Sequence, residues 1–147
     1  MPYHQFGDPK NASHRVSVKL VCKAENKILL IKRRTTADYN LVGGGVDKGE
    51  NLMQAIEREF REETGKRLDI PVQLLHVEIR SFPPGGQFDA AINVFYLLSY
   101  EKCFSIKLEE GVYDSFKRVS KEELLLLPTS EHTNKDFLLT LFSCQDS

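Results

Sequence analysis

Three glutamates, Glu59, Glu62 and Glu63, stand at i, i+3 and i+4 behind glycines at 43, 44, 45 and 49. On a helix those spacings bring all three carboxylates onto one patch, where like charges destabilise by roughly 0.2–0.5 kcal/mol per pair. Arg58 offsets part of this through an i, i+4 pair with Glu62, but one guanidinium cannot neutralise three carboxylates. A divalent cation would, because hard ions such as Mg²⁺ take oxygen ligands from carboxylates, waters and substrate phosphates. The glycines allow positive φ and close approach of a ligand to the backbone. A glycine-rich loop beside an acidic helix therefore predicts a metal-plus-phosphate site.

Those residues need a rigid element behind them, and the flanking sequence supplies one. Asn51 is a good N-cap, and Gln54 three residues on completes a capping-box pattern. Gly65 stands where a left-handed C-terminal cap belongs. Between the caps, Met53, Ile56 and Phe60 fall at i, i+3 and i+7, a stripe expected to face a core. Upstream, Val16, Val18, Leu20 and Cys22 alternate with polar neighbours, the period-two signal of a half-buried strand. Ala24-Glu25-Asn26 reads as a turn and residues 27–33 as a second strand, a hairpin whose end delivers Arg33 and Arg34 toward the glycines. Those arginines could pair with substrate phosphate, or they are a solvated strand end. Residues 41–42 read as a short strand leading into the glycine loop.

Downstream, residues 66–69 read as a polar turn, and residues 70–82 contain a strand with Leu75, Val77 and Ile79 on one face. Pro83-Pro84-Gly85-Gly86 breaks it. Residues 88–100 read as a central strand in which Asn93 either reaches a base or ribose or is a satisfied core amide. Residues 116–119 read as a last strand. Ser120 caps a helix over 121–127 that Pro128 ends, and residues 133–142 form a final amphipathic helix. Strands alternating with three helices imply an α/β fold, a mixed sheet packed between helices.

The stretch from Gly44 to Lys66 resembles the Nudix box: Gly, five residues, Glu, seven residues, then Arg-Glu-apolar-any-Glu-Glu-any-Gly-apolar. Gly44, Glu50, Arg58, Glu59, Phe60, Glu62, Glu63 and Gly65 match at the required spacing. Lys66 stands where the family usually has an apolar residue, and Val42 where many members have proline; both bear on packing rather than on metal ligands. The motif covers 23 of 147 residues. The resemblance implies the α/β/α sandwich of the Nudix fold over a single domain, 1–147, with 1–13 a loose lead-in. It implies hydrolysis of a phosphoanhydride in a nucleoside diphosphate linked to another moiety, using Mg²⁺, with Mn²⁺ a substitute. Glu59, Glu62 and Glu63 would be metal ligands, with Arg58 orienting one of them and Glu50 bracing the loop. Gly43 and Gly44 would present backbone groups to metal or phosphates. Tyr39 and Leu41 fit a family position with an aromatic residue two before an apolar one, and Tyr39, Phe82, Phe88 and Tyr113 either stack on a substrate base or pack in the core and at its rim. The general base stays open among Glu62, Glu63, Glu109 and Glu110. Pro83 accompanies ADP-ribose preference in some members, and His132 with Asn134 resembles the ends of some sugar-nucleotide-processing ones.

Two other classes compete. A non-catalytic nucleotide-sensing module usually loses box glutamates, and this chain loses none. A prenyl diphosphate isomerase needs a dedicated cysteine, for which Cys22 and Cys103 offer no context. Length suits one domain with a real core. With 41% hydrophobic and 28% charged residues, the composition is that of a soluble globular protein. A net charge of −1 does not indicate binding to a nucleic-acid backbone. The longest apolar run, residues 124–127, is far too short to span a membrane, and residues 1–13 lack a secretory h-region. Three widely spaced cysteines fit reduced thiols in a cytoplasmic protein. Oligomeric state is open, a homodimer among the options.

Overall fold

The computed structural model describes residues 12–143. Of the expected lead-in, residues 1–11 lie outside the described residues. Ser13, within them, is tied by its backbone N–H to the Asp89 carboxylate at 2.8 Å, and its carbonyl accepts from Asp89 and Ala90.

Six strands form one mixed sheet: β1 (His14–Ala24), β2 (Lys27–Arg33), β3 (Tyr39–Gly45), β4 (Gln73–Ser81), β5 (Ala90–Tyr100) and β6 (Tyr113–Val119). Their spatial order is β4-β5-β1-β3-β2-β6. β1 and β5 run parallel, and every other pairing is antiparallel. The β1–β2 hairpin turns on Glu25 and Asn26, both with positive φ (52° and 57°), as a two-residue turn matched to strand twist requires. Only its mouth is paired; farther along, β3 inserts between the two strands.

Neighbouring residues of each strand feed opposite cores. Val18, Leu20, Val42, Val94 and Leu98 pack under helix α1 (Leu52–Thr64) through Ala55, Ile56 and Phe60. Val21, Ile28, Leu30, Leu41, Phe95 and Val119 meet Leu124 of α2 (Lys121–Leu126) and Leu138 of α3 (Lys135–Leu139). The result is the expected α/β/α arrangement. The caps at Asn51 with Gln54, at Ser120 and at Gly65 (φ 74°) form as the sequence indicates, and Glu123 completes a capping box with Ser120.

Several expectations change. The glycine run is strand, not loop: Gly43, Gly44 and Gly45 pair with Lys19, Val18 and Ser17. The α1 stripe uses Ala55 rather than Met53, because Met53 lies one turn too early to reach the sheet and is exposed. In β4 Leu74, Val77 and Ile79 are exposed, and an irregularity between Leu74 and His76 leaves Leu75 half-buried against the second core rather than on a face with Val77 and Ile79. β4 is an edge strand, and α1 covers the sheet around β1 and β3 without reaching it. The covered face of β4 instead carries Glu78, which accepts hydrogen bonds from Arg80, His76 and Asn134. β5 is flanked on both sides but sits next to the edge. β6 starts at Tyr113, ahead of the apolar signal. The last helix is broken: a 3₁₀ turn (Glu131–Thr133) precedes α3, and Asn134 between them is left-handed at φ 55°. Lys66, at the position where an apolar residue was expected, sets its ammonium 5.7 Å and 5.4 Å from the Tyr100 and Phe104 ring centres.

Candidate active site

β3 brings its glycines edge-on to α1, and an added Cβ would meet a neighbour at all three, at Gly45 the Arg15 guanidinium. A Cβ at Gly43, whose φ is 144°, would sit 2.0 Å from the Val18 carbonyl oxygen. A Cβ at Gly44 would sit 2.6 Å from Glu59 Oε1. The missing side chains let the helix carboxylates lie directly against the strand backbone. Gly43 N–H donates to Glu63 Oε2 at 3.1 Å, and Tyr113 Oη donates to Glu63 Oε1 at 3.0 Å. Glu63 is 1% exposed. Burial, then the nearby Glu59 charge, push its carboxyl up to about 8 against those two donors.

Arg58 organises the rest. Its Nε and Nη2 donate to both oxygens of Glu50, at 2.6 and 2.9 Å. Nη1 donates to Glu59 Oε1 at 2.7 Å, and Nη2 reaches the Gly45 carbonyl at 3.0 Å. Glu50 also accepts from Asp47 N–H at 2.8 Å. Hydrogen bonds from Arg58 first, then Asp47, hold Glu50 down to about 2. Glu59 is raised by burial, with Arg58 opposing and Glu62 adding to the rise. Glu62 is the loosely held member: its side chain is 42% exposed and meets Arg58 Nη1 only at 3.5 Å.

The three carboxylates are neighbours: Glu59 and Glu62 both reach Arg58 Nη1, and the Glu59 charge raises Glu63. Among the described residues no three acidic, histidine or cysteine side chains gather as a metal would need. Glu59 and Glu63 lie against β3, and Glu59 shares Arg58 Nη1 with the more exposed Glu62. The donor chemistry nevertheless fits a hard divalent ion: Glu59 and Glu63 are partly or fully buried carboxylates that raise each other or are raised by a neighbour, beside backbone groups at Gly43 and Gly44. A cation there would reverse that repulsion.

On the other side of the glycine edge lies a cavity of about 240 Å³. Gly43, Gly44, Gly45, Arg33 and Tyr113 line one end; Arg15, Ser17, Lys19, Asn93, Phe82 and His132 line the rest. Arg33 reaches it as expected, its guanidinium 5.2 Å over the Tyr113 ring. Arg34 does not line it, and spends its N–H on the Val112 carbonyl. Tyr39 is a core residue whose hydroxyl meets Ser115 Oγ at 3.3 Å. Glu109 and Glu110 precede β6 and do not line the cavity. Sequence reasoning missed Arg15, Ser17 and Lys19. Their signal was present, since they are the polar half of the β1 alternation, but that face reads as solvent until a cavity is known to lie on it.

This fold, with its carboxylate helix against a glycine edge, places the chain in a known class: residues 13–141 match the NUDIX domain model, and the chain belongs to that family. Nudix hydrolase 6 of Arabidopsis thaliana is 27% identical over 84% of this chain and 45% of its own length. Nucleoside triphosphatase NudI of Salmonella typhimurium is 32% identical over 73% of this chain and 76% of its own length. The chain thus spans less than half of the plant relative and about three quarters of the bacterial one. The crystal structure of a MutT NUDIX hydrolase from Burkholderia pseudomallei superposes with a TM-score of 0.73 at 24% identity, covering 88% of this chain and 98% of that one.

Proposed function

We propose that the chain is a divalent-metal-dependent pyrophosphohydrolase that cleaves a phosphoanhydride in a nucleoside diphosphate derivative. The observation that carries this reading is the contact of Glu59 and Glu63 with the glycine edge, facing a cavity lined by Arg15, Arg33 and the buried Lys19. Carboxylates for a cation and donors for phosphates thereby flank one strip of backbone. The names of the two relatives, a Nudix hydrolase and a nucleoside triphosphatase, support the same class.

Glu59 and Glu63 would hold the cation, with the backbone at Gly43 and Gly44. When bound, it would neutralise phosphate oxygens and ease attack by water, as Mg²⁺ does at phosphoryl sites, with Mn²⁺ able to replace it. Arg58 fixes Glu59 through its fork, and Glu50 fixes Arg58. Arg33 offers a charge-assisted donor to phosphate from the far side of Gly43. Glu62 is the carboxylate least engaged elsewhere, and it takes the proton of the attacking water. Among the described residues the cysteines, Cys22 buried and Cys103 partly so, are free thiols and fit a cytoplasmic setting.

A panel of (d)NTPs, dinucleoside polyphosphates, nucleotide sugars and ADP-ribose, with Mg²⁺ or Mn²⁺, tests the class. Turnover should require metal and fall by orders of magnitude in Glu59→Gln and Glu63→Gln. Metal-independent turnover, or wild-type rates in both variants, would overturn the reading.

A further inference from the structure

Tyr113, the first residue of β6, touches both halves of the candidate site. Its hydroxyl donates to Glu63 Oε1 at 3.0 Å, and the Arg33 guanidinium lies 5.2 Å over its ring. The side chain is buried and lines the cavity beside Gly43, Gly44 and Arg33. A buried phenol needs a partner for its hydroxyl, and any carbonyl would serve. Here the partner is a carboxylate of the glutamate helix, 50 residues earlier in the chain.

The strand register creates the other contact. Along β2 and β6, Ile31 faces Phe116 and Lys32 faces Ser115, so an unbroken ladder would set Arg33 opposite Asp114. A carboxylate there would tie up the guanidinium. Instead the register shifts between Lys32 and Arg33: Arg33 faces Tyr113, and Asp114 goes to Lys32 Nζ at 3.0 Å. Irregularities of this kind re-aim side chains next to functional sites. Among the described residues Arg33 makes no ion pair, and resting on a ring face fixes a guanidinium without consuming its N–H donors. Those donors stay free for phosphate oxygens.

Glu63 is held in a complementary way. An ionised carboxylate offers about four lone-pair positions and no donor. Tyr113 takes one on Oε1, and the Gly43 N–H takes one on Oε2 at 3.1 Å. The two donors fix the rotation of the group and leave a position free on each oxygen. At 1% exposure, bulk water does not compete for them.

We infer that Tyr113 is a positioning residue with two separable duties: its hydroxyl sets the Glu63 carboxylate for a divalent cation, and its ring sets Arg33 for the substrate phosphates. This rests on the pyrophosphohydrolase reading and adds the residue that joins its metal half to its phosphate half. Groups that orient a ligating carboxylate are worth roughly 10- to 100-fold in metal affinity.

Two substitutions separate the duties. Tyr113→Phe deletes the hydroxyl and keeps the ring; Tyr113→Leu deletes both. Calorimetry with Mn²⁺ alone reads the first duty, and KM for the best-hydrolysed nucleotide at saturating Mn²⁺ reads the second. Tyr113→Phe should weaken Mn²⁺ binding roughly tenfold or more, regain turnover as Mn²⁺ is raised, and keep that KM within about twofold of wild type. Tyr113→Leu should weaken Mn²⁺ binding as much and also raise KM roughly fivefold. In the wild type, added Mg²⁺ should perturb the near-ultraviolet absorption of tyrosine, a difference signal that Tyr113→Phe removes. Three results each overturn the inference: Mn²⁺ affinity in Tyr113→Phe within about threefold of wild type, equal KM in the two variants, or no tyrosine signal in wild type. With metal-dependent hydrolysis intact in wild type, any of them leaves the proposed activity standing. A wild type that neither binds Mn²⁺ nor hydrolyses any nucleotide sinks both. The wild-type signal carries the test even where a variant fails to fold.

Discussion

Replacing Gly44 by alanine perturbs the candidate site with the least disturbance to the fold. The new Cβ would lie 2.6 Å from Glu59 Oε1 and 2.9 Å from its Cδ. Ordinary contact begins near 3.4 Å, so the carboxylate must retreat by roughly 0.8 Å. The obstacle is the far end of a flexible side chain, so the backbone need not move and the melting temperature should stay within about 3 °C of wild type. Chemistry is less tolerant, because a displacement near 1 Å at a reacting centre can cost about 100-fold. Gly44→Ala should therefore lower kcat/KM roughly 30- to 100-fold, mostly in kcat, for the best nucleotide of the panel. Gly43→Ala is the contrasting control. There the added Cβ meets the Val18 carbonyl oxygen at 2.0 Å, in a strand interior, at a φ of 144° that side chains rarely adopt. It should lose about 2 kcal/mol or more of stability. Product release assays beside thermal melts separate the two effects. Gly44→Ala with near-wild-type kcat/KM and an unchanged melt would refute the claim that Glu59 must lie against the glycine edge.

Other consequences follow from single contacts. Glu50→Gln leaves the Arg58 fork without its charged partner, and should lower kcat roughly 10- to 100-fold while the far-UV spectrum is unchanged. Glu78 sits below its ordinary range: burial pushes it up, but Arg80, His76 and Asn134 pull it down further. Because its folded value lies below the unfolded one near 4.5, its stabilisation is complete above that pH and fades as pH falls through the folded value. Glu78→Gln should melt well below wild type at pH 7, and the gap should narrow in melts below about pH 4. Asn134→Ala removes the oxygen that caps Phe137 N–H at 3.1 Å, in a left-handed residue, and should cost about 1 kcal/mol in chemical denaturation.

The sequence alone determined the glutamate-bearing helix and its register. Its caps, Glu59 and Glu63 one turn apart, and Arg58 beside them are local facts, set by spacing along 23 residues. The β1–β2 hairpin, the Asn51–Gln54 capping box and the Ser120 cap were legible for the same reason. Tertiary structure decided what each face meets. Nothing in the spacing of Val77 and Ile79 says that no helix covers that side of β4, so these apolar residues ended exposed and Glu78 covered. Nothing in Arg15, Ser17 and Lys19 says that their side of β1 is a cavity floor, since that depends on a parallel partner, β5, some 75 residues away in the chain. The same holds for Asn93, whose buried amide meets His132 only because that residue returns from the far end of the chain. Local periodicity reports how a segment alternates; which alternate face is dry, wet or empty is a property of the elements that pack against it.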